Sequence, residues 1–170
     1  MAPNYGDMGY FAQASAEAEN AELAYKFLTF KLAGQYFGLA IRSVKEILQL
    51  QPITPIPELP YYAKGVANIR GRVVPIIDLS LRLGKPEQEY TERTCIVIVD
   101  INDTYVGFLV ESVEDVPDID REQISPPPKL SSDSSARYII GIGKLESYMV
   151  LLLDGSLILS DDEVSAFSEL

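Results

Sequence analysis

The chain has 170 residues and a formal net charge of −11, and 47% of its residues are hydrophobic. This length suits one globular domain or two small lobes that share a core. The sequence contains no His and a single Cys, Cys95, which excludes an intrachain disulfide, a CxxC zinc site and a Ser-His-Asp triad. The negative charge disfavours nucleic acid and anionic lipid as partners, and no apolar run approaches the ~18 residues that a membrane-inserted span requires.

The charge is unevenly distributed along the chain. Residues 1–24 carry four acids, no base and only isolated apolar residues, so we predict a disordered acidic tail. They lack the basic start and apolar stretch of a signal peptide, which predicts a cytoplasmic protein. Residues 26–93 have ten bases and six acids, whereas residues 95–153 have four bases and ten acids. The first half therefore suits an acidic partner better than the second.

Two β-hairpins are predicted after the tail. The aromatic and β-branched segments 25–32 and 36–41 flank a Gly-containing turn, and segments 94–99 and 104–110 flank a polar turn. Between the hairpins, residues 43–48 predict one short helical turn.

The remaining elements are also short. Four prolines within residues 52–60 predict an extended connector. Residues 73–77 and 149–153 predict two buried strands, and Ser160 begins a capping-box pattern that predicts a short C-terminal helix. Many short strands with Gly and Pro turns predict a mainly β fold.

The chain contains an internal repeat. With an offset of 69 residues, segment 36–47 aligns with 105–116 and shares Tyr, Gly, Ser and Val. With an offset of 76 residues, segment 73–81 aligns with 149–157. We therefore predict two similar five-stranded lobes that bury a shared hydrophobic face.

Asp78 and Asp154 are the residues that look most like those of an enzyme. Each ends an equivalent predicted strand, and paired carboxylates can act as acid and base. Their equivalence in the repeat favours a simpler interpretation, in which each carboxylate caps the turn after its strand. Walker A, dinucleotide-binding and calcium-loop patterns all fail at required positions. The sequence predicts a protein that is not an enzyme and that uses no cofactor or metal.

Four blocks of the sequence carry a family pattern: 38–47, 64–71, 74–79 and 106–110. The run Gly-Val-x-Asn-Ile-Arg-Gly, followed by Val-Pro-Ile-Ile-Asp, resembles the CheW family of chemotaxis coupling proteins. The similarity covers residues 25–168 and leaves the acidic tail without a counterpart.

The resemblance implies two five-stranded, SH3-like β-barrel lobes on a common hydrophobic core, interleaved within residues 25–168 and divided near residue 93. It also implies a non-catalytic adaptor that couples chemoreceptors to the histidine kinase CheA in bacterial chemotaxis. The kinase would bind through its regulatory domain and the receptor through its cytoplasmic tip. The isolated protein is expected to be a monomer in the cytoplasm that is recruited to membrane receptor arrays.

The resemblance also implies a receptor-binding groove, although it assigns no kinase-binding residues. The groove would contain Val44, Glu46, Gly65, Arg70, Cys95 and Gly107, with Val113 and Val116 along its floor. Glycines and the small Cys95, where the family often has Val, would let a receptor helix approach closely. Arg70 would bind a carboxylate or a helix C-terminus. A structural salt bridge to Glu46 is the competing interpretation of Arg70, and the two roles can combine.

Two other functions stay open at this point. One is a coupling module of another chemosensory array, such as one that controls pilus motility. The other is a small-molecule-binding β-barrel protein or an enzyme that uses Asp78 and Asp154.

Overall fold

A computed structural model describes residues 25–127 and 137–170, so the tail predicted for residues 1–24 lies outside the described residues. The described strands are β1 (Phe27–Leu32), β2 (Gln35–Ala40), β3 (Val44–Gln49), β4 (Ala63–Ile69), β5 (Arg72–Asp78), β6 (Cys95–Ile101), β7 (Thr104–Val110), β8 (Ser112–Asp115), β9 (Ile124–Ser125), β10 (Ile139–Lys144) and β11 (Met149–Leu153). The α-helices described are α1 (Leu79–Arg82) and α2 (Asp161–Ser168). The predicted mainly β fold is confirmed.

The strands form two sheets. One has six strands in the order β8-β1-β2-β11-β10-β9, and the other has five in the order β3-β6-β7-β5-β4. The sixth strand of the first sheet is β9, which has two residues. Neighbours are antiparallel except for β2 with β11 and β5 with β7. Each sheet contains strands from both sides of residue 93.

The repeat explains this order through an exchange of strands. The offsets of 69 and 76 residues match β1, β2 and β8 with β6, β7 and β3, and match β10 and β11 with β4 and β5. Replacing each strand by its equivalent turns the order β3-β6-β7-β5-β4 into β8-β1-β2-β11-β10. Each sheet therefore combines the first two strands of one repeat with later strands of the other. The chain crosses between the sheets at Ile41–Ser43 and again at Glu111.

One hydrophobic core joins the two sheets. Its largest cluster contains Phe30 and Phe37 of the six-stranded sheet and Phe108 of the five-stranded sheet, none more than 2% exposed. Phe167 of α2 also belongs to this cluster. Two smaller clusters each contain residues of one sheet. Each sheet therefore buries its inner face against the other.

The helical turn predicted for residues 43–48 is wrong. After a 3-10 turn at Ile41–Ser43, these residues form β3, which pairs with β6. Half-buried and exposed side chains alternate along β3, which is the two-residue period of a strand. The predicted hairpins, connector and C-terminal helix are confirmed.

Candidate partner-binding surface

Arg70 and Glu46 meet at the margin of the five-stranded sheet. Arg70 lies in the turn between β4 and β5 with a φ of 53°. The backbone N–H of Gly71 donates to the side-chain oxygen of Asn68 at 2.8 Å, which stabilises the turn. Arg70 Nε donates to both carboxylate oxygens of Glu46, at 3.2 and 3.0 Å, and Nη2 contacts Oε2. Since β3 and β4 are opposite edges of this sheet, the ion pair shows that the sheet curls towards a barrel.

The ion pair holds the Arg70 side chain in place without burying it. Hydrogen bonds from Arg70 hold the pKa of Glu46 below its usual value, against a smaller opposing effect of burial. The Arg70 side chain is nevertheless 76% exposed. Exposed ion pairs add little to stability, so the main consequence of this one is orientation. The guanidinium uses Nε and Nη2 for Glu46, and its other N–H donors are available to a partner.

Gly65 and Gly107 are closely packed against other parts of this chain. A Cβ at Gly65 would lie 2.2 Å from the carbonyl oxygen of Thr54, so the proline-rich connector already covers this position. A Cβ at Gly107 would lie 2.8 Å from side-chain carbons of both Ile76 and Ile96. Atoms of this chain therefore occupy the space that a side chain would take at both glycines. A role for Gly65 and Gly107 in receptor binding stays a prediction.

Val44 and Cys95 lie on the neighbouring strands β3 and β6. Val44 begins β3 opposite Val99, is half-buried and packs against the main core. Cys95 begins β6, is half-buried and donates from its thiol to the Arg93 carbonyl oxygen at 3.3 Å. Cys95 is opposite Gln49, at the other end of β3 from Val44. We call Val44, Glu46 and Arg70, together with Cys95 at the far end of the strand, the β3 surface.

Val113 and Val116 belong to the six-stranded sheet. Val113 lies on β8 opposite Phe30, and Val116 is 40% exposed just after that strand. An ion pair between Arg93 and Glu114, at 3.1 Å, joins the segment before Cys95 to β8. The structure therefore places Val44 and Glu46 on β3, an edge strand of one sheet, and Val113 and Val116 on or just after β8, the matching edge strand of the other.

Asp78 and Asp154 each cap the turn after their strand, and the capping interpretation is confirmed. Asp78 is fully buried and accepts hydrogen bonds from Leu81 N at 3.2 Å, Gln88 N at 3.2 Å and Gln88 Nε2 at 2.8 Å. Asp154 accepts from the backbone and hydroxyl of Ser156, at 2.9 and 2.6 Å. Both carboxylates are thus occupied by interactions that hold the backbone.

Three features of this chain invite comparison with known proteins: the exchanged strands, the caps at matching positions and the exposed Arg at the β4–β5 turn. A protein-family model, that of the CheW-like domain, matches residues 26–163. The chain belongs to this family. The predicted resemblance is confirmed, and with it the chemotaxis scaffold function that the names of its relatives state.

The CheW relatives match most of the chain. The probable chemotaxis protein CheW of Rhizobium etli is 36% identical over 141 residues, which cover 83% of this chain and 91% of that protein. The chemotaxis protein CheW of Klebsiella aerogenes is 34% identical over 140 residues, 82% of this chain and 84% of that protein. The crystal structure of the scaffolding protein TtCheW from Thermoanaerobacter tengcongensis is 31% identical, with a TM-score of 0.74. The match covers 82% of this chain and 94% of the TtCheW chain.

This CheW-family chain also has a cavity that sequence reasoning missed. It has a volume of about 500 Å³ and lies between the segment after α1 and the crossing at Glu111 and Ser112. Its walls come from segments far apart in the sequence, so no spacing predicts it. Within residues 25–127 and 137–170, no group of three acidic, Cys or His side chains is arranged to hold a metal. No helix of that part is long and apolar enough to cross a bilayer.

Proposed function

We propose that this protein is a non-catalytic adaptor that couples the cytoplasmic tip of chemoreceptors to the regulatory domain of the histidine kinase CheA. It would act in the cytoplasm, at membrane receptor arrays. The observation that carries the proposal is the exposed, oriented guanidinium of Arg70 in a chain of the CheW family. Such a group is positioned for a partner rather than for the core.

The β3 surface offers chemistry that suits a helix of the receptor tip. The half-buried side chains of Val44 and Cys95 supply apolar contact, and the free donors of Arg70 supply a grip for a carboxylate or for the last carbonyls of a helix. Val113 and Val116 extend the proposed surface onto the edge of the six-stranded sheet. Gly65 and Gly107 support it from beneath, because both are covered by other residues of this chain.

We propose a protein without catalytic activity because the two carboxylates that most resemble those of an enzyme already accept hydrogen bonds within this chain. Asp78 and Asp154 are fixed as caps, and each holds a turn rather than a reactive position. An adaptor of this kind would transmit a signal through differences in binding between receptor states, which bias the kinase between its on and off conformations.

Arg70→Glu tests the receptor-binding role. The new carboxylate would lie beside Glu46 and replace the donors with acceptors, so binding of the receptor tip is expected to weaken at least about ten-fold. Binding of the kinase regulatory domain and the thermal midpoint are expected to stay unchanged. Calorimetric titration of each partner separately measures both affinities, and receptor-dependent kinase activity in a reconstituted mixture is the functional readout.

Arg121→Glu is the matched control, because it makes the same change of charge at an exposed residue near the six-stranded sheet. It should leave receptor binding intact. Equal loss of receptor and kinase binding in Arg70→Glu would show that Arg70 has a structural role. Unchanged receptor binding would contradict its assignment to the surface. If adding the wild-type protein does not change the activity of the reconstituted kinase, the adaptor function itself is overturned.

A further inference from the structure

The turn between β4 and β5 presents two exposed arginines, Arg70 and Arg72, which we call the arginine tip. Arg70 binds Glu46 through Nε and Nη2, and its remaining donors make no hydrogen bond among residues 25–127 and 137–170. Arg72 lies over the ring of Tyr105, with its guanidinium carbon 3.7 Å from the centroid, and takes part in no ion pair within the same ranges. Stacking uses the face of a guanidinium and leaves the N–H groups at its edge for a carboxylate. The tip therefore offers oriented donors to more than one acidic group.

The charged residues around the arginine tip leave this margin of the sheet positive. Lys45 is exposed on β3, and Arg42 lies in the 3-10 turn that precedes this strand. The acids at the same margin are Glu46, which already binds Arg70, and Asp100 and Asp103 of the β6–β7 hairpin. With four bases and three acids, the margin keeps a positive charge, which suits an acidic ligand.

The acidic segment of this chain, residues 1–24, joins the fold close to this margin. The segment carries Asp7, Glu17, Glu19 and Glu22 and no base. It leads into Lys26, whose carbonyl oxygen accepts a hydrogen bond from the backbone N–H of Ile41 at 3.0 Å. Ile41 begins the crossing to β3, and Glu46 follows five residues later, along a path of at most about 19 Å. The segment therefore enters the fold beside the strand that holds the carboxylate partner of Arg70.

The acids of the segment are within reach of the arginine tip. Glu17 is eight residues before Tyr25, which gives it a span of up to about 28 Å in an extended chain. Glu19 and Glu22 are closer to the fold. Because the segment is tethered, its local concentration at the tip is on the order of 1 mM, so weak contacts are sufficient for binding. Exposed ion pairs are individually weak, and the segment offers several of them.

We propose that the acidic segment 1–24 binds the arginine tip of its own chain and competes there with the acidic group of a partner. Glutamates of the segment would accept hydrogen bonds from the remaining donors of Arg70 and from the edge of the Arg72 guanidinium. The competition rests on the receptor-binding role proposed for Arg70, whereas the contact within the chain does not. A segment that occupies the tip for about nine-tenths of the time lowers the apparent affinity of a partner about ten-fold. The effect becomes smaller as salt screens the charges.

The first test asks whether the contact exists in the 15N-labelled full chain. The segment variant carries Glu17→Gln, Glu19→Gln and Glu22→Gln. It is expected to shift the side-chain Nε–H signals of Arg70 and Arg72 and the backbone amide signal of Gly71. The matched control carries Glu58→Gln, Glu92→Gln and Glu122→Gln, which remove the same charge from exposed positions elsewhere. The control should leave these signals in place, and the difference between wild type and segment variant should shrink in about 0.5 M salt.

The second test measures competition by calorimetric titration with the receptor tip. The segment variant is expected to bind the tip of the receptor about three- to ten-fold more tightly than the wild type, and the control variant should bind like the wild type. Tighter binding without any shift of the Arg70 and Arg72 signals would show that the segment acts elsewhere, which overturns the proposal.

Other outcomes also overturn the proposal, each at a different step. Unchanged Arg70 and Arg72 signals in the segment variant, or equal shifts in the control, would show that the segment does not bind the arginine tip. Shifts that depend on protein concentration would show that it binds a second copy. Shifts without tighter receptor binding would overturn the competition. If Arg70→Glu leaves receptor binding unchanged, the role proposed for Arg70 fails together with the competition, while the signals of Arg70 and Arg72 still decide whether the contact within the chain exists.

Discussion

The margins of the two sheets have the same strand order but different charges. The repeat places Asp115 where the five-stranded sheet has Glu46, and Glu146 where it has Arg70. The five-stranded sheet therefore has an ion pair at this position, whereas the six-stranded sheet has two acids. Burial raises the pKa of Tyr148, and the nearby charges of Asp115 and Glu114 raise it further. A shared apolar pattern thus maintains one architecture, while the surface of each lobe can serve a different partner.

The ring contacts differ in the same way. In the six-stranded sheet, the rings of Tyr36 and Tyr148 lie 4.4 Å apart between centroids. At the equivalent positions of the other sheet, Arg72 lies over the ring of Tyr105, with its guanidinium carbon 3.7 Å from the centroid. An aromatic pair and a cation–π contact therefore occupy matching places. The basic residue again lies on the five-stranded sheet.

The largest expected difference between the two sheets is at a pair of matching glycines, Gly65 and Gly141. Gly65→Ala would force Cβ to within 2.2 Å of a backbone oxygen at a φ of 139°. Gly141→Ala would place Cβ 2.8 Å from a side-chain methyl of Ile124, which can move, and 3.1 Å from the Ser125 carbonyl oxygen. We expect the free energy of unfolding to fall by about 3 kcal/mol for Gly65→Ala and by about 1 kcal/mol for Gly141→Ala. Urea unfolding measures both, and equal losses would contradict the comparison.

The caps should show a smaller difference of the same kind. Asp78→Asn removes a buried carboxylate that accepts three hydrogen bonds, whereas Asp154→Asn changes a half-buried cap to a residue that caps nearly as well. The expected losses in unfolding free energy are about 2 and about 0.5 kcal/mol. Thermal unfolding with each single variant measures them. Receptor-dependent kinase activity should persist in the folded double variant, and its loss there would revive an enzyme role for the two carboxylates.

The smallest expected effect concerns Glu163 of α2, which forms an ion pair with Arg82 of α1. Burial pushes the pKa of Glu163 up, but hydrogen bonds from Ser160 and Tyr62 and the charge of Arg82 hold it below the usual 4.5. The carboxylate therefore contributes stability that is present above about pH 4.5 and is lost as the pH falls through the lowered pKa. Glu163→Gln keeps a residue suited to the capping box and removes the charge.

This variant should lose less unfolding free energy than the wild type between pH 5 and pH 3, by less than about 1 kcal/mol. Denaturant unfolding at a series of pH values gives the two slopes. Identical slopes would show that Glu163 does not carry this part of the acid sensitivity.

Local patterns predicted much of the fold. Turn residues and β-branched runs located both hairpins, and Ser160 located the start of α2 through its capping box. Residues 43–48 were the exception, because the partner that makes them a strand, β6, is remote in the sequence. The surroundings of Gly65 and Gly107 could not be predicted for a related reason. What covers Gly65 is a connector whose path the spacing of prolines does not specify.

The sequence by itself determined the family, the repeat, the strand-rich composition and the caps, because periodicity, turn chemistry and duplication are visible along a single chain. Tertiary structure decided which strands share a sheet, which groove residues are exposed, and where the cavity beside Glu111 and Ser112 lies. Two repeats with nearly the same apolar pattern can pair within themselves or with each other. That choice depends on backbone hydrogen bonds and packing between distant segments, where local preferences are the same for both arrangements.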